Sequence, residues 1–496
     1  MKNIKQYIFL ALGVCVLATG CEKFGDFGDT NVDQTKVSKA ATKALLTYAM
    51  QKSQANRDGN TTATTILSID GAVFGQYVSE GPYLTYSPFN DAGSTLNRSY
   101  YTFYSEVLKN LNQVIIFAKA GAPEADAITN GSINNQIAVA RIMKAYIFWQ
   151  LTDKWGDLPY EEALNSNNIT PKFSKQEIIY KDLFKELKEA VAQIDAGAGP
   201  TGDIMFGGNM ASWKKFAATQ RLLMALRLSK VYPNAGEFAA SEFALAVAAT
   251  PLAADELLKY TFLSGDPNNY NPWYSNYTVS NRNDYAISKT LVDVMKNNGI
   301  GTDPRLPVYG EVLAGNQVKG LEFGTAIQTN IPNAYSRIGT TLRAAGSPAY
   351  IFTVAQVQFA LAEASKIGWI AGGDVAAKIY YDAGIDASLT QYGVADATFK
   401  NAIDIAYLPS TALQQIGTQR WIASYLDGWE AWSEFRRTGF PALVPGPNSQ
   451  NGIVIPRRVG YPTADATTNK DNYNAAIAQQ GWTNNSINNR MWWDKP

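Results

Sequence analysis

The chain has 496 residues, with 43 lysines and arginines against 43 aspartates and glutamates, two cysteines and no histidine. A formal net charge of zero with only 17% charged residues leaves no electrostatic footprint for nucleic acid or for an anionic membrane surface. Without histidine there is no Ser-His-Asp or Cys-His nucleophile, no histidine general base and no His-ligated zinc or haem, so any catalysis would rest on carboxylates, lysine or tyrosine.

The N-terminus reads as an export signal. Lys2 and Lys5 form a positive start, and the apolar stretch from Ile8 to Thr19 is shorter than the roughly 20 residues a membrane-spanning helix needs. The signal, residues 1–20, ends in Leu17-Ala18-Thr19-Gly20-Cys21, which resembles a bacterial lipobox, with Cys21 as the acylated new N-terminus. Two or more acyl chains, at about 0.8 kcal/mol per buried methylene, hold a protein stably at a membrane where one is marginal. Cleavage also removes Cys15, leaving Cys21 as the sole cysteine of the mature chain and no disulfide. Residues 21–35 read as a flexible leash, Gly-rich and acidic at Glu22 to Asp29. Asp29-Thr30-Asn31-Val32-Asp33 begins like a calcium loop but has Gln34 where glycine is needed and Ala40 where a bidentate glutamate should stand, so no metal is assigned, and no cofactor.

Beyond the leash the dominant pattern is helical, and residues 36–496 read as a single domain. Apolar residues recur at spacings of three and four over 36–53 (Val37, Ala40, Ala41, Ala44, Leu45, Tyr48) and over 97–119 (Tyr100, Tyr104, Val107, Leu108, Leu111, Ile115). A stretch at 133–153 is apolar nearly all round, from Ile137 to Trp149, which places it centrally in the fold. Ser174-Lys175-Gln176-Glu177 has the form of a capping box before the stripe Ile179, Leu183, Leu187 and Ala190. Further helices are expected at 211–231, 237–248, 352–367, 373–391 and 411–437. Gly368, Gly372 and Gly373 join two of them in a short turn suited to an antiparallel hairpin, although no fixed 34-residue tetratricopeptide period is present. Asn/Gly/Pro/Tyr-rich stretches at 78–96, 264–285, 296–350 and 440–490 are too long for simple connections, and loops of such length usually carry function.

The segment Leu151-Thr152-Asp153-Lys154-Trp155-Gly156-Asp157-Leu158-Pro159-Tyr160 resembles a signature of the SusD/RagB nutrient-binding lipoproteins of the Bacteroidetes. Ordered blocks at Gly208 to Ser229, Thr302 to Pro307, Ala355 to Gly368, Gln419 to Pro441, Ile455 to Arg458 and Tyr461-Pro462 are similar to the second SusD-like branch of that family. Ala217 to Gln220 and Gln356 depart slightly from its pattern. The resemblance implies a mostly α-helical protein whose tetratricopeptide-like hairpins form a scaffold, with long irregular loops building the ligand face. It also implies a lipid-anchored, cell-surface position on the outer membrane. There the protein would capture oligosaccharide, or peptide in part of the family, and deliver it to a SusC-like TonB-dependent transporter. That is binding, not catalysis.

Candidate ligand-binding residues follow from the chemistry of a sugar, which offers one C–H face and a rim of hydroxyls and so needs a flat aromatic ring flanked by amides and carboxylates. Aromatic residues inside polar loops fit that need: Tyr83 and Tyr86, with Phe89, in the first loop, and Tyr270, Trp273, Tyr274 and Tyr277, with Asn269 and Asp284 nearby, in the second. Trp482, Trp492 and Trp493 are expected to dock the C-terminal tail. The alternative class is a carboxylate-based surface glycoside hydrolase, for which Asp153 with Asp157, or Glu430 with Glu434, would be the acidic pair. Arg436 and Arg437 close to the glutamates point instead to ion pairing.

Overall fold

Periodic apolar faces become helices almost throughout. The computed structural model describes residues 40–54, 65–90, 99–119, 127–253, 256–296, 302–326 and 330–496. The export signal, Cys21, the leash and the Asp29 to Asp33 run lie outside these residues. In chain order the main helices are α1 (Thr42–Gln54), α2 (Ile69–Phe74), α3 (Lys109–Lys119, continuing a π-helical turn at Phe103–Leu108), α4 (Ile133–Trp155), α5 (Gln176–Gln193), α6 (Met210–Arg227), α7 (Phe238–Ala248), α8 (Lys289–Lys296), α9 (Val354–Lys366), α10 (Gly373–Gln391), α11 (Ala412–Ala423), α12 (Gly428–Thr438) and α13 (Lys470–Gln479), with single helical turns between some of them. Strands are short and pair antiparallel in twos: β1 (Val78–Glu80) with β5 (Tyr285–Ile287), β2 (Leu158–Pro159) with β3 (Phe173–Ser174), and β4 (Leu258–Tyr260) with β6 (Ala349–Phe352). Among the described residues no helix is long and apolar enough to cross a membrane.

The helices stack as hairpins. Helix α4 packs against α3 on one side and α5 on the other, α6 pairs with α7, and α9 pairs with α10 and also touches α6 and α11. The all-round apolar character of α4 is accounted for, since nearly every residue from Asn135 to Trp155 is buried. Neighbouring helices come close where a side chain is missing. A Cβ on Gly384 of α10 would lie 2.7 Å from the Phe359 ring of α9. A Cβ on Gly428, the first residue of α12, would lie 1.9 Å from the Gly71 carbonyl oxygen of α2.

Two local expectations need correction. The helix expected at 411–437 is two helices, because Leu426 adopts a left-handed φ of 73° and Asp427 then caps α12 by accepting from the Glu430 N–H. At the start of α5 the residue before the first turn is Lys175, not Ser174. The Ser174 hydroxyl is drawn away to the Glu161 carboxylate at 2.9 Å, and the Asp157 carboxylate accepts from the Gln176 N–H at 2.8 Å in its place. A residue distant in sequence thus performs the capping that a local box would have performed.

At the centre of the helical stack lies a group of buried charges. Arg227 of α6 contacts Glu430 and Glu434 of α12 at 2.5 Å each and Asp153 of α4 at 3.2 Å. Arg420 of α11 reaches the same two glutamates at 2.9 and 3.0 Å, and Arg437 of α12 bridges Glu434 at 2.6 Å to Glu363 of α9 at 2.5 Å. The ion pairing expected of Glu430, Glu434 and Arg437 is therefore present, between five helices, whereas Arg436, expected to pair with them too, lies over the Trp432 ring and donates to the carbonyls of Asp153 and Arg457 instead. Removing one partner of a buried pair leaves the other charge without compensation, at a cost of about 3–5 kcal/mol. Arg227→Met is expected to lose that much stability in denaturant unfolding; a change below about 1 kcal/mol would show that the network contributes no more than a surface pair.

Candidate ligand-binding face

The two loops singled out in the sequence are some two hundred residues apart and meet through a strand pair. β1 and β5 align Val78 with Ile287, Ser79 with Ala286 and Glu80 with Tyr285, and the Gly81 N–H then donates to the Asp284 carbonyl at 2.8 Å. The buried Glu80 carboxylate shapes the first loop. It accepts from the backbone N–H groups of Thr85 (2.9 Å), Tyr86 (3.1 Å) and Ser87 (2.8 Å) and from the Ser87 hydroxyl (2.6 Å). Burial pushes this carboxyl above the usual range, and the four donors oppose that shift by solvating the charged form in place of water.

Wrapped over Glu80, the loop turns Tyr86 inward to 8% exposure and leaves Tyr83 outward at 61%. The Tyr83 ring lies 5.6 Å from the Arg282 guanidinium, which is tied to Asp284 at 2.5 Å. A cation over a ring at an exposed site contributes about 0.5–1 kcal/mol, enough to bias the orientation of the ring.

The second loop is capped twice by its own side chains. Asp266 accepts from the Asn268 N–H at 2.9 Å, and Asn271 accepts from the Trp273 N–H at 2.9 Å while donating to the Ser347 carbonyl at 2.9 Å. With Pro272 in the first position, Pro272–Tyr274 forms a helical turn that continues as a π-helical turn over Ser275–Val279. The helical course swings Trp273 inward, where Tyr277 stacks on it at 6.1 Å between centroids and Tyr285 meets it edge-on at 5.9 Å.

Trp273 and Tyr86 are corrected accordingly: at 1% and 8% exposure they are core residues and offer no face to a ligand. Asn269 has both ends of its amide engaged, accepting from Gln51 at 2.5 Å and donating to Asp266, so it fixes the loop. Tyr277 is half-buried, with its hydroxyl donated to the Tyr285 carbonyl at 3.0 Å and the Arg343 guanidinium 5.1 Å from its ring. Tyr270 and Tyr274 are partly exposed and meet edge to face at 5.0 Å. Tyr83 is thus the candidate with an open ring, and Tyr270, Tyr274 and Tyr277 each retain part of theirs. Sequence reasoning missed Glu80, Arg282 and Arg343, which hold the rings. The one available signal for Glu80 was a carboxylate just before the Gly81-Pro82 turn.

The carboxylate pairs considered for hydrolysis are committed elsewhere. Asp153 belongs to the buried charge group and accepts from the Tyr180 hydroxyl at 2.5 Å, while Asp157 is spent on the α5 cap and on Gln479. Burial pushes both carboxyls up to about 6. Glu430 and Glu434 are buried against arginines. Glu80→Ala is expected to leave three backbone N–H groups without their acceptor, at about 1–3 kcal/mol per buried group. Amide hydrogen exchange at Thr85, Tyr86 and Ser87 should quicken at least tenfold; unchanged protection would mean that the loop holds its shape without Glu80.

Comparison with known proteins places the chain in a family. A family model for SusD-like proteins, described as starch-binding and associating with the outer membrane, matches residues 34–462. A solved chitin-binding protein is 30% identical and superposes with a TM-score of 0.74 over 92% of this chain and 100% of its own. A chitin-binding SusD homologue from Flavobacterium johnsoniae is 25% identical, TM-score 0.75, covering 92% of this chain and 98% of its own. A SusD homologue from Bacteroides uniformis, at 21% identity and a TM-score of 0.75 over 92% of this chain and 99% of its own, has the same fold. No curated protein matches. By the family match over most of its length and by its helical fold, the chain belongs to the SusD-like family.

Proposed function

We propose that this protein is a cell-surface lipoprotein that binds oligosaccharide and passes it to a SusC-like TonB-dependent transporter in the outer membrane. The observation that carries the reading is the Tyr83 ring, 61% exposed, held over Arg282 on a loop that Glu80 makes rigid. A sugar's C–H face stacks on such a ring, and the Arg282–Asp284 pair beside it offers hydrogen-bond partners to the hydroxyls. Tyr270 and Tyr274 supply further ring surface. The similar proteins named for chitin binding make chito-oligosaccharides the first probe, with maltooligosaccharides second because of the family's description. Diacylated Cys21 provides the anchor, and the leash up to residue 35 gives the binding unit reach.

Two substitutions separate ligand contact from packing. Tyr83→Ala is expected to weaken chito- or maltooligosaccharide binding about tenfold, a loss of about 1.4 kcal/mol, and to leave the melting temperature unchanged. Trp273→Ala, by contrast, is expected to destabilise the fold by about 3–5 kcal/mol. Wild-type affinity in the Tyr83 variant would remove the loop from the site; a ligand panel answered only by peptides would replace the saccharide. For the anchor, Cys21→Ser is expected to shift the protein from the membrane fraction to the soluble one, and retention in the membrane fraction would refute acylation as the tether.

A further inference from the structure

The register of β1 and β5 brings a second ring to the Tyr83 face. Side chains alternate between the two sides of a strand. Ser79 and Gly81, with Ala286 and Asp284 across from them, therefore share one side, and Glu80 and Tyr285 point to the other. Two further steps of the same register set Tyr83 opposite Arg282, in agreement with their 5.6 Å approach. Ile331 covers that side: it packs with Ala286 and Leu321, and a Cβ on Gly81 would collide with its Cγ1. Tyr335, half-buried, packs against the same group, and the Lys319 ammonium lies 5.0 Å from its ring centroid. Tyr83 with Arg282 and Tyr335 with Lys319 are thus two ring–cation pairs on one side of the strand pair, joined through Ile331.

Arg337 fixes the second pair as Glu80 fixes the first. Its buried guanidinium donates to the carbonyls of Ile331 and Tyr335 at 2.7 Å each and to Asn283 Oδ1, and the Asn283 amide donates to the Ile331 carbonyl at 2.9 Å. The Ser336 N–H donates to the Lys319 carbonyl at 2.8 Å, and the Lys319 N–H donates to the Ser336 hydroxyl at 3.0 Å. Charge on this side is unequal. Arg343 is matched by Glu311 at 3.1 Å and Arg282 by Asp284 at 2.5 Å. Among the described residues no carboxylate pairs with Arg337 or Lys319. Arg337 bonds neutral oxygens only, and Glu322, three residues on from Lys319, supports the charge of Lys289. The Glu80 carboxylate points to the opposite side, enclosed by its own loop. Arg282 spends only Nε on Asp284, so the edge formed by Nη1 and Nη2 stays open beside the Tyr83 ring, on a side chain 55% exposed. Such an edge matches a planar carboxylate in a two-bond fork.

We propose that the ligand of this face is an anionic oligosaccharide, a chain of uronic acid units whose carboxylates pair with the open edge of Arg282 and with the Lys319 ammonium while the sugar rings lie on Tyr83 and Tyr335. The proposal rests on the saccharide reading of the Tyr83 loop and narrows its substrate class. The test titrates the soluble mature chain with trigalacturonate, chitotriose and maltotriose by calorimetry. Trigalacturonate is expected to bind about tenfold tighter than either neutral trimer at low salt. That ratio should shrink at about 1 M salt, where charges are screened within about 3 Å. In the double variant carrying Arg282→Gln and Lys319→Gln the ratio should fall close to one. Equal or weaker binding of the acid by the unsubstituted chain would overturn the proposal, as would a preference that survives in the folded double variant. The salt series on the unsubstituted chain decides the case in which the variant fails to fold, since a preference indifferent to salt overturns the two charge contacts. Binding of the neutral trimers alone removes the anionic ligand and leaves the saccharide reading standing; no binding of any trimer removes both.

Discussion

The buried charge group on α4, α6, α9, α11 and α12 is the constraint from which the scaffold takes its registry. Moving an ion out of water costs several kcal/mol, so such a group is tolerated only if nearly every oxygen finds a donor. Glu434 meets that condition: Arg227 takes one oxygen, and Arg420 and Arg437 share the other. Burial works against its charge, yet the three arginines together hold its carboxyl well below the usual carboxylate range. Four carboxylates, Asp153, Glu363, Glu430 and Glu434, face Arg227, Arg420 and Arg437; Asp153 and Glu363 each meet one guanidinium, Glu363 through both oxygens and Asp153 through one at 3.2 Å. Burial pushes the Asp153 carboxyl up to about 6. A slide of any of these helices by one turn, about 5.4 Å, would separate pairs now at 2.5–3.2 Å and strand charges in the core. The close approaches at Gly384 and Gly428 oppose such a slide sterically, and the charges oppose it electrostatically.

The same arrangement explains why the family-like Asp153 to Tyr160 run has no open chemistry. Its first aspartate closes the charge group and its second caps α5, both through bonds to residues far away in sequence. Arg436 is absorbed as well, with its guanidinium 3.5 Å from the Trp432 ring centroid and 4.7 Å from that of Trp493. Stacking between two indoles replaces part of its hydration, and donation to the carbonyls of Asp153 and Arg457 replaces more. The chain's C-terminal tryptophan is thereby tied to the centre of the helical stack.

How much of this was legible depended on whether the signal was local. Helices announced themselves through spacing, and α4 through the lack of any polar face, because 3.6-residue periodicity is a property of neighbouring residues. The capping-box pattern at Ser174 is not realised because the Asp157 carboxylate, nineteen residues before Gln176, takes the α5 N-terminus, and nothing in four residues records that. The division of 411–437 could have been inferred from Asp427-Gly428, a capping residue followed by one without a side chain, at the place where α12 meets the Gly71 backbone. Loop aromatics were the least legible. Polar neighbours suggested exposure for both Trp273 and Tyr83, yet Asn271-Pro272 starts a helical turn that buries the first, while the Glu80 carboxylate turns the second outward.

That last contrast bears on how a ligand face can be built from loops at all. A mobile ring loses about 0.5–1.5 kcal/mol of freedom when a ligand immobilises it, which offsets most of what one stacking contact contributes. Tyr83 sits on a backbone fastened by Glu80, with one side of its ring facing Arg282, and Arg282 is in turn held by Asp284 and so by the β1–β5 pair. Most of the ordering is therefore complete before any ligand arrives. In the site proposed above, the guanidinium on one side would leave the other side of the ring for a sugar to stack on, and the approach direction would be set by residues that need not touch the sugar themselves. The buried Trp273, stacked on Tyr277 and edge-on to Tyr285, serves the same end from beneath, since it keeps the strand that carries Tyr285 and the loop that carries Arg282 in one piece.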